Sequence, residues 1–372
     1  LAVNLLAPLG GRYGAAALAQ ARLDAERRGY RLVRVDGPDE RLCAWIDWAF
    51  APSWWSSETR DGSAWIAYAA SGEIAGFAAF GARSRSAPWL HAYRDRRDVG
   101  VFGPYGVADA HRGTGLGEAL LAAALCGLAE WAAEALIPAV SGDRLIASYV
   151  ARAGARVADT YEYALRPARA VILASGSGTN AQAVIDDTRA GRNALELAAV
   201  VCNVADARVR ERARNAGIAD ELVVWQRGGE ARAAFDERVI EAVAGYAPDL
   251  VLLLGWMHLL PAAFLARFPE TINVHPAFLP FDPADDTAVM PDGTVIPAFR
   301  GARSPEATVA AGAPWAGVSV HRVTPAADRG AILVRTPLRR PAGASLDDLR
   351  AHLRPLEHAA VAKAIRRWSL GA

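Results

Sequence analysis

The chain has 372 residues, 52% hydrophobic and 22% charged, which allows two packed domains and excludes a mainly disordered or fibrous protein. Lys+Arg total 41 against Asp+Glu 40, and a net charge of +1 gives no general attraction to nucleic acid or to an anionic membrane. Cys43, Cys126 and Cys202 lack the paired spacing of a disulfide framework or a thiolate metal site, and no uninterrupted apolar run has membrane-spanning length, so a soluble cytoplasmic chain without a metal is expected.

In chain order, residues 42–55 carry Trp45, Trp48, Trp54 and Trp55, which read either as aromatic packing around a helix and turn or as a wall facing a ligand. Residues 64–70 and 74–80 read as strands joined through Ser71 and Gly72. The apolar run 99–107 contains Pro104, which removes a ladder donor and predicts an edge or bulged strand. Leu116, Leu120, Leu121, Leu125, Leu128 and Trp131 then recur at helical spacing within 115–134, with Cys126 in the core. Residues 161–165 read as a closing strand, and Pro167 separates a first domain, 1–166, from a second, 170–372.

In the second half, strands expected at 171–173, 197–201, 222–225, 250–254 and 271–274 alternate with helices at 181–190, 207–216, 230–245 and 262–268. That order predicts a mostly parallel sheet with crossover helices. Residues 318–323 and 332–336 add strands, and a closing helix over 345–367 starts with Ser345 as cap and Asp348 in its first turn. The expected fold class is α/β in two domains, a mixed sheet followed by a mostly parallel, Rossmann-like one.

The glycines of His111-Arg112-Gly113-Thr114-Gly115-Leu116-Gly117 leave backbone N–H groups at a helix entrance open to phosphate, and Arg112 adds charge. A purely structural glycine turn explains the same residues. The dinucleotide fingerprint does not fit, because the strand ends several residues earlier and no ribose-binding acid follows. Together with the preceding run from Phe102, the segment resembles GNAT-family N-acyltransferases, whose pattern is met by Arg112, Gly115 and Gly117; the resemblance covers roughly 40–165. It implies a mixed sheet that binds acetyl-CoA or another acyl-CoA across a splayed strand pair, with Arg112, Gly113, Gly115 and Gly117 at the cofactor. The family's thiolate-protonating tyrosine stands four residues before a late glycine. Here Val150 has that offset from Gly154, and Tyr149 is one place earlier, about 100° round a helix. Asp109, Glu73 and Glu118 are the candidate bases, and both turnover and CoA binding without turnover stay open.

Ser175-Gly176-Ser177-Gly178-Thr179-Asn180 passes from strand through a polar turn into a helix, a place for phosphate without the lysine of a nucleotide-hydrolysing loop. Asn273 and His275 alternate by two at a strand end and project to one side, and Asp328 lies in a later turn. A lone histidine reads as structural. The trio suits attack of an amine on a formyl carbon: Asn273 donates to the carbonyl oxygen, His275 moves a proton and Asp328 supports its imidazolium. No adjacent serine or cysteine nucleophile favours an acyl-enzyme.

These motifs, with Tyr246-Ala247-Pro248-Asp249 and Asp328-Arg329-Gly330, resemble the phosphoribosylglycinamide formyltransferase family, which uses 10-formyltetrahydrofolate, over roughly 170–367. The resemblance implies Asn273, His275 and Asp328 as catalytic residues, Gly178, Thr179 and Asn180 at a substrate phosphate, and Glu357 at the amine substrate. It also implies a folate wall at Trp256, Met257 and His258, the last replacing a usual arginine, with Thr324 to Gly330 opposite. The expected reaction is formyl transfer to a primary amine of a small, phosphate-bearing molecule. The alternatives are the standard purine-pathway enzyme and a non-catalytic CoA- or folate-binding scaffold. Residues 281–299 are inserted after the catalytic strand, with 287–290 and 294–297 read as a hairpin, which argues against an ordinary acceptor. Asp282, Asp285 and Asp286 face water, an acceptor or the other domain, without metal-site spacing. The partner expected is a small-molecule amine, with no nucleic acid or membrane; a homodimer is left open.

Overall fold

Two seven-stranded sheets arise from the two kinds of apolar pattern in the chain. The computed structural model describes residues 2–81, 88–161 and 167–371. The first half runs β1 (Ala2–Pro8), α1 (Ala15–Arg27), β2 (Tyr30–Asp36), α2 (Glu40–Ala49), α3 (Trp55–Thr59), β3 (Ser63–Ala69), β4 (Ile74–Gly81), β5 (Val99–Val107), α4 (Leu116–Ala129), β6 (Glu134–Val140), α5 (Asp143–Ala153) and β7 (Arg156–Tyr161). Its sheet order is β2-β3-β4-β5-β6-β1-β7, antiparallel throughout except for β5 and β6.

That parallel pair is short. Val99, Gly100 and Val101 face Glu134, Ala135 and Leu136, after which the two strands part. The parting explains how Pro104 is accommodated: β6 no longer needs its donor, and toward β4 the ladder shifts register between Ala78 and Phe80. The strand is therefore bulged as expected, but it is interior rather than an edge. The fully apolar face of α4 packs over the sheet, where Gly127 is required: a Cβ would stand 2.3 Å from the Phe80 ring. β1 lies between β6 and β7, far from its sequence neighbours, an arrangement no local motif announces. Of the closing strand expected at 161–165, β7 ends at Tyr161 and the rest lies outside the described residues.

The second half runs β8 (Ala168–Ala174), α6 (Thr179–Arg189), β9 (Leu195–Cys202), α7 (Arg208–Ala216), β10 (Ala219–Leu222), α8 (Arg232–Ala244), β11 (Leu250–Leu253), α9 (Ala262–Arg267), β12 (Thr271–His275), β13 (Thr287–Val289), β14 (Val295–Pro297), α10 (Ser304–Ala310), β15 (Trp315–Arg322), β16 (Ile332–Arg339) and α11 (Leu346–Ser369). The order β10-β9-β8-β11-β12-β15-β16 is parallel through β12 and antiparallel beyond it. β10 pairs at 219–222 instead of 222–225, because Val223 and Trp225 are used for packing, the latter stacked on Phe235 at 5.7 Å. Ser345 and Asp348 close a reciprocal capping box on α11.

The insertion joins the two halves. Ala288, Met290 and Ile296 of the β13–β14 hairpin bury against Ala44 of α2, with Phe278 and Trp315 completing the cluster. Beside it Arg335 of β16, 1% exposed, donates to Asp47 of α2 at 2.6 Å and to the Leu279 carbonyl at 2.9 Å. Its guanidinium lies 4.4 and 3.8 Å from the Phe278 and Phe281 ring centres. Asp282 caps the Ala284 N–H, and Asp286 pairs with Arg300 and Arg329, so these carboxylates shape the inserted loop. Among the described residues, no helix is long and apolar enough to cross a membrane and no cluster of metal-ligating side chains occurs.

Candidate active site

The parallel strands β8, β11 and β12 end at one edge of their sheet, and a cleft of about 670 Å³ opens there. Asn273 and His275, two apart on β12, both line it. His275 is 4% exposed; its Nε2–H donates to the Phe299 carbonyl at 2.7 Å, and its Nδ1 stands 3.5 Å from Asp328 Oδ2. A carbonyl only accepts, so neutral His275 carries its proton on Nε2 and presents the Nδ1 lone pair beside the carboxylate. Burial lowers the His275 pKa, partly opposed by Asp328. Burial raises the Asp328 pKa, but contacts with His321, His275 and the Gly301 N–H outweigh it and hold the carboxyl at about 2. The pair is thus a neutral base beside a permanent negative charge at neutral pH.

Asp328 reaches this position from a turn in which its own φ is +53°, a left-handed conformation uncommon for a non-glycine residue. Gly301 N–H donates to its Oδ2 at 2.7 Å. The exit of the insertion therefore clamps both members of the pair, through the Phe299 carbonyl and the Gly301 N–H. A third residue joins them: His321 of β15 sits directly across the ladder from Asn273, accepts from its Nδ2 at 3.2 Å and lies 3.4 Å from Asp328 Oδ1. Sequence reasoning missed His321, because only the strand register reveals the pairing. Gly330 does not line the cleft; a Cβ there would stand 1.6 Å from the Arg322 carbonyl oxygen, so its role is to let the turn close. Gly330→Ala is expected to displace Asp328 and cost on the order of a hundredfold in kcat/KM for turnover at this cleft, checked by steady-state kinetics with circular dichroism confirming the fold.

At one end of the cleft the turn of residues 176–180 opens α6, with Gly178 at φ +69° and Val209 filling the space a Cβ would need. Asn180 donates to Glu357 of α11 at 2.9 Å, while its buried Oδ1 has no partner among the described residues. Burial raises the Glu357 pKa against that hydrogen bond. Arg350, paired with Glu306 at 2.7 Å, and Arg354, both on α11 and not anticipated from sequence, also line the cleft. At the other end Trp256, Met257, His258 and Thr324 form walls. Met257 is 60% exposed with its N–H on Ser175 Oγ at 3.2 Å, and the Trp256 Nε1 is buried without a partner among the described residues. His258 is held edge-on by Trp225, Phe235 and Trp256, and burial, then Arg232 and Arg227, lower its pKa.

A second cleft, about 530 Å³, lies between the parted ends of β5 and β6. Tyr149, 6% exposed, lines it beside Phe102 and Tyr105, whereas Val150 is 46% exposed and turned away. Burial raises the Tyr149 pKa, so it holds its proton. The helical offset argued from Gly154 counted against Tyr149, yet the tyrosine faces the strands. Gly117 adjoins this cleft through the Tyr105 hydroxyl, 3.0 Å from where a Cβ would stand. Gly115 abuts the Arg28 guanidinium of the segment after α1, a cation that sequence reading did not single out, while Gly113 has open space and Arg112 pairs with exposed Asp109 at 2.8 Å. Of the candidate bases, Glu118 pairs with Arg152 and Glu73 accepts from Ser71; neither these nor Asp109 lines the second cleft, where Glu58 and Asp61 stand instead.

Residues 168–283 and 292–365, about half of the chain, match the formyl transferase family. The chain belongs to that family. Residues 15–153 match the acetyltransferase (GNAT) family, so a GNAT domain precedes the formyl transferase domain in a transferase. The unmatched interval 284–291 falls inside the insertion. Phosphoribosylglycinamide formyltransferase of Escherichia coli (strain K12) is 34% identical over 190 residues, covering 51% of this chain and 81% of the relative. The trifunctional purine biosynthetic protein adenosine-3 of Bos taurus is 28% identical over 208 residues, covering 56% of this chain and 19% of its own, much longer, length. Glycinamide ribonucleotide transformylase 1 from Symbiobacterium toebii aligns with a TM-score of 0.49 at 33% identity, covering 57% of this chain and 92% of that one.

Proposed function

We propose that this formyl transferase moves the formyl group of 10-formyltetrahydrofolate to a primary amine of a small, phosphate-bearing molecule, with residues 1–166 and 170–372 acting as two units. The observation that carries the reading is the meeting of Asn273, His275 and Asp328 at the centre of one cleft. A folate-sized donor suits the apolar wall at Trp256 and Met257, and the 176–180 turn lines the same cleft as a place for phosphate. When bound, the donor supplies an activated formyl carbon. Asn273 Nδ2 donates to a carbonyl oxygen as negative charge grows on it. His275 takes the amine proton on Nδ1, where the Asp328 carboxylate stabilises the resulting imidazolium, and gives a proton back to the donor nitrogen as its bond to the formyl carbon breaks and tetrahydrofolate leaves. Phe299 and Gly301 keep that pair aligned.

The acceptor is tested by comparing glycinamide ribonucleotide with a panel of other phosphate-bearing amines, following donor-dependent appearance of N-formyl product. Residues 281–299 do not line the cleft and pack instead against α2, so the comparison itself decides: the highest kcat/KM with another amine supports a specialised acceptor, and preference for glycinamide ribonucleotide selects the purine-pathway reaction. The matched GNAT family supports acyl-CoA as the acyl donor of the first domain.

The protonation states give a pH prediction. A neutral His275 is needed to accept the proton, so kcat/KM rises with pH and levels off, with its inflection below the 6.5 of an ordinary histidine. Because Asp328 raises the His275 pKa, Asp328→Asn is expected to move that inflection to still lower pH while lowering the plateau by roughly a hundredfold. An unchanged inflection in that variant contradicts the pairing.

A further inference from the structure

The cleft between β5 and β6 takes walls from both domains. Phe102, Tyr105 and Tyr149 form one side. Glu58 and Asp61 near α3 line the cleft too, together with Lys363 and Arg366 of α11, the terminal helix of the formyl transferase domain. Lys363 is the only lysine in the chain. It is half-buried with its Nζ 4.4 Å from the Trp54 ring centre, and no hydrogen-bond or ion-pair partner meets it among the described residues. Arg366 is exposed at the cleft, and it opposes the Lys363 charge: burial first, then Arg366, lower the lysine's pKa, with Glu58 raising it.

The two carboxylates do not balance this pair. Arg367, the next residue, also acts on Glu58 and Asp61 while its guanidinium donates to the Leu333 carbonyl at 2.6 Å. Among the described residues, Lys363, Arg366 and Arg367 thus gather around Glu58 and Asp61, and Lys363 and Arg366 line the opening. Like charges brought together at a partly apolar wall repel one another until an anion lies between them.

We propose that this cleft is an acceptor site built jointly by the two domains, in which Lys363 and Arg366 hold the carboxylate or phosphate of a small amine while Glu58 and Asp61 face its ammonium. The acceptor of the GNAT domain is then a small zwitterion rather than a protein terminus or a neutral amine. The same helix also carries Leu353, Arg354 and Glu357 to the formyl cleft, so α11 serves both sites. The inference does not depend on the formyl-transfer reading.

The single lysine makes the test direct. In the full chain labelled with 13C-lysine, the one ε-methylene resonance reports on Lys363. O-phosphoethanolamine and β-alanine are the phosphate and carboxylate probes, and ethanolamine is the neutral-tailed control. A saturable shift with either anionic probe, absent with ethanolamine, is expected, and the responding probe identifies the group recognised. Arg366→Gln, at an exposed position, should weaken that binding by about tenfold or more. Asn180→Ala, in the formyl cleft, should leave it unchanged. No shift with either anionic probe, an equal shift with ethanolamine, or a response lost in Asn180→Ala but retained in Arg366→Gln overturns the proposal.

Discussion

His275→Ala is expected to lower kcat/KM for formyl transfer by roughly a thousandfold while leaving donor Kd within about twofold. The reason is where the ring's two nitrogens are used. Nε2 is committed to the Phe299 carbonyl, leaving Nδ1, beside Asp328, as the atom that takes the proton. Alanine removes that site, and no neighbouring side chain stands in the same place: His321 is tied through Nδ1 to the Arg322 carbonyl at 2.8 Å and through Nε2 to Asn273. Trp256 and Met257, where the donor is proposed to lie, belong to a different loop, so binding should survive. Stopped-flow turnover and equilibrium donor titration separate the two quantities; a loss appearing only in donor Kd contradicts the assignment.

Arg335→Ala is expected to destabilise the protein by about 3–5 kcal/mol, because it strands a carboxylate at the boundary between the domains. Asp47 is completely buried, and its other acceptor contact is with the Ser56 hydroxyl. Burial, outweighing Arg335 and Ser56, pushes the Asp47 pKa up to about 6. A carboxyl raised in the folded state contributes most stability at low pH, where it is protonated, and loses that contribution as pH rises through about 6. Removing Arg335 raises the carboxyl pKa further and penalises the ionised form, so the variant's deficit should be larger at pH 8 than at pH 5. Urea unfolding at the two pH values checks the sign. The double replacement Arg335→Met with Asp47→Leu should recover most of the loss, since two apolar side chains leave no buried charge unpaired. A deficit independent of pH, undiminished in the double variant, contradicts the buried-pair explanation.

Much of the formyl cleft was legible because its groups are local. Asn273 and His275 share a strand face by alternation, and the glycine-rich turn of 176–180 announces its own helix entrance. His321 was hidden because its relation to Asn273 is a cross-strand register, which no single segment encodes. The carboxylates of the insertion left water, an acceptor or the other domain open; the hairpin's buried face meets α2 of the other domain and its exit clamps His275 and Asp328, contacts between distant segments. In the first domain the glycine loop was readable, while β1 between β6 and β7 was not, since its partners lie more than a hundred residues away. Tyr149 shows the limit of counting along a helix: the offset from Gly154 singles out Val150, but the orientation of α5 against β5 turns Tyr149 into the cleft.

The most direct measurement is mass spectrometry of a pool of phosphate-bearing amines incubated with the purified chain and 10-formyltetrahydrofolate labelled with 13C in the formyl group. One amine should gain a single labelled formyl group with stoichiometric release of tetrahydrofolate, and His275→Ala should abolish the gain within the same incubation. Folded protein that binds the donor yet labels no amine, or a labelled product formed equally by the alanine variant, would contradict a formyl transfer centred on Asn273, His275 and Asp328.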